Sequence, residues 1–176
     1  MKTNSYHYNT AVKESKQRVS VSLDEVKKDI ESGQDIEVYP PKGAKFCYDI
    51  DISETYNSEC AEKLLEQLGI EKTEKTMDVA ESYIYNTKGQ DRDIATIRKY
   101  EEMAQNGWTP IADITEEDDG KLALLTGTVS HDFLTVKKDN EKVKLVKTDT
   151  AHGYQRPQQR TKYIPCHDEM FIKIIK

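Results

Sequence analysis

The chain has only three cysteines, Cys47, Cys60 and Cys166, far apart and without a CxxC pair. So odd and scattered a set does not read as a disulfide framework or a closed zinc site, and it predicts free thiols in a reducing compartment. Long apolar runs are missing as well. No stretch approaches the roughly 20 apolar residues that a membrane helix needs, and the polar start MKTNSYHYNTAVKESKQR lacks the apolar segment of a secretory signal. The expected location is the cytoplasm. The eight glycines never fall in GxGxxG or GxxxxGK[ST] spacing, and no GxSxG, HExxH or EF-hand pattern occurs. These absences argue against nucleotide-triphosphate motors, common dinucleotide oxidoreductases, zincins and α/β-hydrolases. No cofactor is expected. Arginine is sparse too, with five against 21 lysines, a usage common in the AT-rich coding sequence of many phages and mobile elements.

What is present fits a small globule. At 176 residues, with 36% hydrophobic and 33% charged residues, a single domain can bury roughly 70% of the surface that its unfolded chain exposes. The net charge of −6 conceals a gradient: residues 1–120 hold 15 Lys/Arg against 26 Asp/Glu, net −11, and residues 121–176 hold 11 against 6, net +5. Such polarity concerns partners and solubility more than fold.

Residues 1–19 are polar and aperiodic, and are expected to form a flexible arm that orders against a partner. Ser22 and Glu25 make a capping-box pattern before Leu23, Val26 and Ile30, and Gly33 closes a short helix. Residues 35–39 look extended, and Pro40-Pro41 breaks the chain. Phe46, Tyr48, Ile50 and Ile52 alternate with Cys47, Asp49 and Asp51, the period of a half-buried strand. Residues 57–68 place Cys60, Leu64, Leu65 and Leu68 on one helical stripe that ends at Gly69. Residues 77–85 satisfy both periods, and the helical one is preferred. A further helix is expected over 91–105, with Asp91 and Asp93 at its positive start and Asn106-Gly107 as its stop. Trp108 begins an expected strand to Ile114 and serves as a core or domain-edge anchor. Short β-type runs follow at 122–129, 133–136, 143–146, 163–166 and 170–175, with Asp139-Asn140 as a hairpin turn. The expected fold is α+β, with helices mainly in residues 22–106 and an antiparallel β-rich part over 108–176. Residues 20–176 are read as one domain with an acidic part, 20–120, and a basic part, 121–176.

Three constellations carry candidate chemistry. His131 and His152, assisted by Lys162, are of the types that move protons and stabilise charge on a phosphodiester. His167 follows Cys166, an adjacency that makes joint metal ligation awkward, so no metal site is assigned. The segment 152–163 interleaves Tyr154, Arg156, Arg160, Lys162 and Tyr163 with glutamines and holds no acid. Guanidinium groups bind phosphate and tyrosine rings stack on unpaired bases, which marks it for an anion or nucleic acid. Finally Asp49, Asp51, Glu54, Glu59, Glu62 and Glu66, with Glu116, Glu117, Asp118 and Asp119, form an acidic surface able to imitate nucleic-acid phosphates.

The function expected from these features is that of a binding or inhibitory protein. Its partner is a protein or ribonucleoprotein of a nucleic-acid-processing machine, as for an anti-restriction or anti-CRISPR inhibitor. The alternatives are a metal-independent phosphodiesterase or ribonuclease using the C-terminal histidines, and a module that sequesters a nucleotide.

Overall fold

A computed structural model describes residues 1–33, 43–126, 134–140, 142–151, 158–167 and 169–175. The extended segment expected at 35–39 and the break at Pro40-Pro41 lie outside them. The described residues have the expected α+β composition, helical first and antiparallel β-rich toward the C-terminus. They form two compact units, Ala11–Ala95 and the pairing of Met1–Thr10 with Thr96–Lys176. Both divisions fall inside helices, away from residue 120 where the charge changes sign.

The stretch expected to be aperiodic begins with a helix, α1 (Tyr6–Gln17). Its start is fixed by Ser5, whose buried Oγ accepts the Tyr8 amide at 3.4 Å and donates to the Tyr100 hydroxyl at 2.9 Å. Tyr8 and Ala11, three apart, are both buried, a stripe too narrow to stand out in a polar sequence.

Within Ala11–Ala95, β1 (Val19–Ser20) is followed by α2 (Leu23–Ser32) and β2 (Lys45–Phe46), and β1 pairs with β2 in parallel. Ser22 caps α2 as expected, its side chain accepting the Glu25 amide, while the Glu25 carboxylate turns to Lys45 Nζ at 3.6 Å. The strand expected over 46–52 stops at Phe46. Cys47 gives its amide to Thr87 Oγ1 at 3.3 Å, and the chain then turns, with the Ile50 amide on the Cys47 carbonyl at 3.4 Å. Cys47 and Ile50 are thereby buried and Tyr48 is exposed, so the alternation does not survive. Helix α3 (Asn57–Leu68) has the expected bounds, with Cys60, Leu64, Leu65 and Leu68 buried and Gly69 in the left-handed region at φ 67°.

Helix α4 (Glu74–Gln105) is continuous where two helices are expected. Asp91 and Asp93 therefore sit within it and not at an N-terminus. Its first half supplies Val79, Ala80, Tyr83 and Ile84 to the core formed with α2 and α3. Tyr83 is fully buried, and its hydroxyl donates to Asp29 of α2, which also accepts from Lys45 Nζ at 2.8 Å. Burial works to raise the Asp29 carboxyl, but hydrogen bonds from Lys45 and Tyr83, with the Lys45 charge, outweigh it and hold it below the usual aspartate range. The hydrogen bond to Asp29 in turn holds the Lys45 ammonium above the usual lysine range, against its own burial.

In the other unit, β3 (Thr109–Pro110), β4 (Leu122–Leu125), β5 (Leu134–Asp139), β6 (Lys142–Ala151), β7 (Gln158–Pro165) and β8 (Phe171–Ile174) form one antiparallel sheet ordered β3-β8-β4-β5-β6-β7. The strand expected over 108–114 is only two residues long. Pro110, which cannot donate to a ladder, occupies an edge strand, and Ile111–Asp113 turns into a 3₁₀ helix whose Asp113 accepts the Asn4 amide at 2.6 Å. Trp108 is half-buried. One sheet face carries Ala123, Leu125, Val136, Leu145 and Ile172 into a core, while Tyr100 of α4 meets the Phe171 ring edge-on at 4.7 Å.

Two outcomes follow. Gly69→Ala forces a Cβ into the left-handed region with no atom within 4 Å to clash, so its cost is conformational. It should destabilise the protein by about 1 kcal/mol in urea denaturation, and Gly69→Asn by less. Asp29→Asn should destabilise at pH 7. Because the folded Asp29 pKa is lowered, its stabilisation is present above the ordinary aspartate pKa and disappears as pH falls below it; because that of Lys45 is raised, its share persists below the ordinary lysine pKa and disappears above it. The wild-type advantage over Asp29→Asn in urea should thus be flat near neutrality and shrink below about pH 4.

Candidate functional site

Of the basic constellation, His131, His152, Tyr154 and Arg156 lie outside the described residues. The segment 152–163, expected to be a loop, is a strand from Gln158 onward, and β7 pairs with β6 so that Arg160 stands opposite Asp149 and Lys162 opposite Lys147. The freedom from acids read along the sequence therefore does not hold across the strands. Tyr163 stands opposite Val146 and is 61% exposed. His167 is exposed, its amide on Met170 Sδ at 3.2 Å. Burial pushes the thiol of its neighbour Cys166 up, which keeps it protonated near neutral pH. Among the described residues no three His, Cys, Asp or Glu side chains are grouped to hold a metal ion, and no helix is long and apolar enough to cross a membrane.

The acids divide into structural and displayed groups. Asp118 closes a capping box with Thr115 and pairs with Lys121 at 2.8 Å. Burial acts to raise its carboxyl, and the bonds from Lys121 and Thr115 prevail and lower it. Asp119 accepts the Lys138 amide at 2.9 Å and lies 3.9 Å from Lys137 Nζ. These two hold the entry to β4 against β5, so they are committed to the fold, while Glu116 and Glu117 are exposed. In the other unit Glu54 pairs with Lys63, and Glu62 with Lys72. Asp51 accepts the Ser53 amide at 2.9 Å, and hydrogen bonds from Ser53 lower its carboxyl. Asp49, Glu59 and Glu66 are exposed beside them. The buried stripe of α3 turns Glu59, Glu62 and Glu66 outward on one helix face, and that orientation was legible in the sequence.

Cross-strand register reveals a surface that no single segment announces. Residues paired across strands share a face, and Leu122 stands opposite Thr135, Thr135 opposite Val146, and Val146 opposite Tyr163. This row crosses four strands, about 14 Å at the usual strand spacing. It lies on the face away from the Ala123, Val136 and Leu145 core. Leu122 is 47% exposed. The same face carries Lys137 opposite Lys144, Lys142 opposite Asp139, and Leu124 opposite Lys173.

A second arrangement that sequence reading missed is buried. Arg18 Nη1 donates to the Asn86 carbonyl at 2.9 Å, and Nε faces Asp93 Oδ2 at 3.4 Å, within ion-pair range but not aligned as a hydrogen bond. The guanidinium lies against Gly89, where an added Cβ would come within 2.8 Å of Nη2. Gln90 donates to Ser15 Oγ at 3.1 Å. Burial raises the Asp93 carboxyl and Glu14 adds to the effect, both against the pull of Arg18. With the Arg18 side chain only 5% exposed, the cluster fastens the end of α1 to α4 and offers no reactive group to a solute.

Protein-family models, curated proteins and solved structures were all compared with the chain, and none of them matches it.

Proposed function

We propose that the protein is a binding protein that acts by occupying a macromolecular partner, a component of a nucleic-acid-processing machine, in the manner of an anti-restriction or anti-CRISPR inhibitor. The observation that carries this reading is the distribution of charge between the two units. Ala11–Ala95 holds 12 Lys/Arg against 19 Asp/Glu, net −7, whereas the remainder holds 14 against 13. On α3 the exposed Glu59, Glu62 and Glu66 rise by about 4.5 and 6 Å along a helix whose opposite face is anchored by Cys60, Leu64 and Leu65. Glu62 is paired with Lys72, so Glu59 and Glu66, about 10.5 Å apart along the rigid rod, present negative charge at about three phosphate steps of a nucleic-acid backbone. A basic channel attracts such a rod by the steering it applies to nucleic acid. The lysine-for-arginine usage fits an origin in a phage or mobile element.

The test compares immobilised wild-type protein with two charge-reversed variants, one combining Asp49→Lys, Asp51→Lys, Glu59→Lys and Glu66→Lys, the other Glu116→Lys and Glu117→Lys. Proteins captured from host extract are quantified by mass spectrometry. Wild type should retain a nucleic-acid-binding protein that is released by about 0.5 M salt and lost from the first variant. Equal capture by wild type and both variants, or no capture by wild type, would overturn the reading.

A further inference from the structure

At β8 the sheet face opposite the Ala123, Val136 and Leu145 core is covered, Phe171 being buried against Tyr100 of α4. We infer that the open part of this face, over β4–β7, is a docking surface for single-stranded nucleic acid, centred on Tyr163 and the lysines beside it. The inference is independent of the acidic contact proposed above, since it concerns the other unit and the opposite charge.

An antiparallel sheet with one face in water ordinarily presents polar side chains there. Here the row Leu122, Thr135, Val146 and Tyr163 leaves two large apolar side chains exposed, Leu122 at 47% and Tyr163 at 61%. Lys137, Lys142 and Lys144 occupy the next two rungs on the same face. Lys173 shares the face, but its Nζ donates to the Asn106 carbonyl at 3.1 Å and is drawn aside. Among the described residues the acids of this face are at the end toward the β5–β6 turn: Asp139 opposite Lys142, and the adjoining Asp119, which accepts the Lys138 amide and lies 3.9 Å from Lys137 Nζ. Lys144 is thus the lysine beside the row that they do not face. Lys137 and Lys144, on the rung next to the row, border the apolar, ring-bearing strip with positive charge on its side toward that turn.

Charge decides between occupants. A second copy stacked face to face would bring these lysines toward their own counterparts, and like charges across an interface are costly. A duplex offers phosphates but keeps its bases stacked away from the ring of Tyr163. A single strand offers both partners at once, phosphates for Lys137 and Lys144 and an open base for Tyr163, which is how sequence-tolerant single-strand surfaces bind. Tyr163 supplies the stacking plane from an edge strand, where a base can approach without meeting a further strand.

The measurement is fluorescence anisotropy of labelled RNA and DNA oligonucleotides of about 12 nucleotides, titrated with the intact protein at several salt concentrations. Wild type should bind in the range of about 1–100 µM, more weakly as salt rises. Tyr163→Ala should weaken binding about tenfold and Tyr163→Phe should restore it. Lys137→Glu with Lys144→Glu should weaken it by a similar factor and reduce the salt slope by about 1.4, the contribution of two phosphates. Lys13→Glu with Lys16→Glu, an equal charge change at exposed positions of the acidic unit, should change it less than twofold. The acid-reversed variant of the capture experiment should keep oligonucleotide binding, so either reading can fail while the other stands. The inference is overturned if wild type does not bind at about 100 µM, if Tyr163→Ala or the Lys137/Lys144 pair binds as wild type does, or if the Lys13/Lys16 pair weakens binding equally. Equal or tighter binding of a duplex, or of vesicles of phosphatidylcholine and phosphatidylserine, with the same sensitivity to Tyr163→Ala, would assign the face to that ligand instead.

Discussion

A strand in a hydrogen-bonded ladder must send successive side chains to opposite sides, and the C-terminal unit is organised by that constraint. Once Ala123, Val136, Leu145 and Ile172 are committed to the core, every alternate residue of β4, β5, β6 and β8 is committed to the other face. A slip of one residue would exchange Leu145 for Lys144, placing an ammonium in an apolar layer. The register is therefore fixed by the core, and the opposite face inherits its composition from that choice. Leu122, Val146 and Tyr163 form one row as a consequence of where the buried residues had to go.

The acidic unit rests on a different principle. Its core is built around α4, which buries a tyrosine whole and must satisfy the hydroxyl it carries inward. Asp29 meets that need, and Lys45 balances the charge so introduced. The polar triad ties α2, β2 and α4 at one point, and α3, which displays the carboxylates, is held by its apolar stripe against the same core. Acids committed to such bonds, Asp29, Asp93, Asp118 and Asp119, differ from those left to the surface, although composition counts them alike.

Helices with a clean apolar stripe and a glycine stop, α2 and α3, were legible to the residue because both signals are local. The same holds for the helical preference at 77–85. The failures have tertiary causes. The alternation at 46–52 was genuine in the sequence, yet the side chain of Thr87, forty residues away, takes the Cys47 amide and the chain turns. The helix of residues 6–17 has too few apolar positions to declare itself. At the surface, Tyr163 could be singled out from its basic surroundings, but Leu122, Thr135 and Val146 could not be joined to it, because register across strands is not written in any one segment. The pairing of Asp149 with Arg160 was hidden for the same reason, and so was the distinction between structural and displayed acids.

Gly89 illustrates how a local weakness can record a distant requirement. A glycine within a helix costs roughly 1 kcal/mol relative to alanine, and α4 nevertheless runs through it. The missing side chain is the space that the Arg18 guanidinium occupies. The two positions are thus bound to one another in descent: a lineage that keeps arginine at 18 is not free to enlarge residue 89, and one that shortens residue 18 loses the reason to keep the glycine. Seventy-one positions apart in the chain, they should drift as a pair.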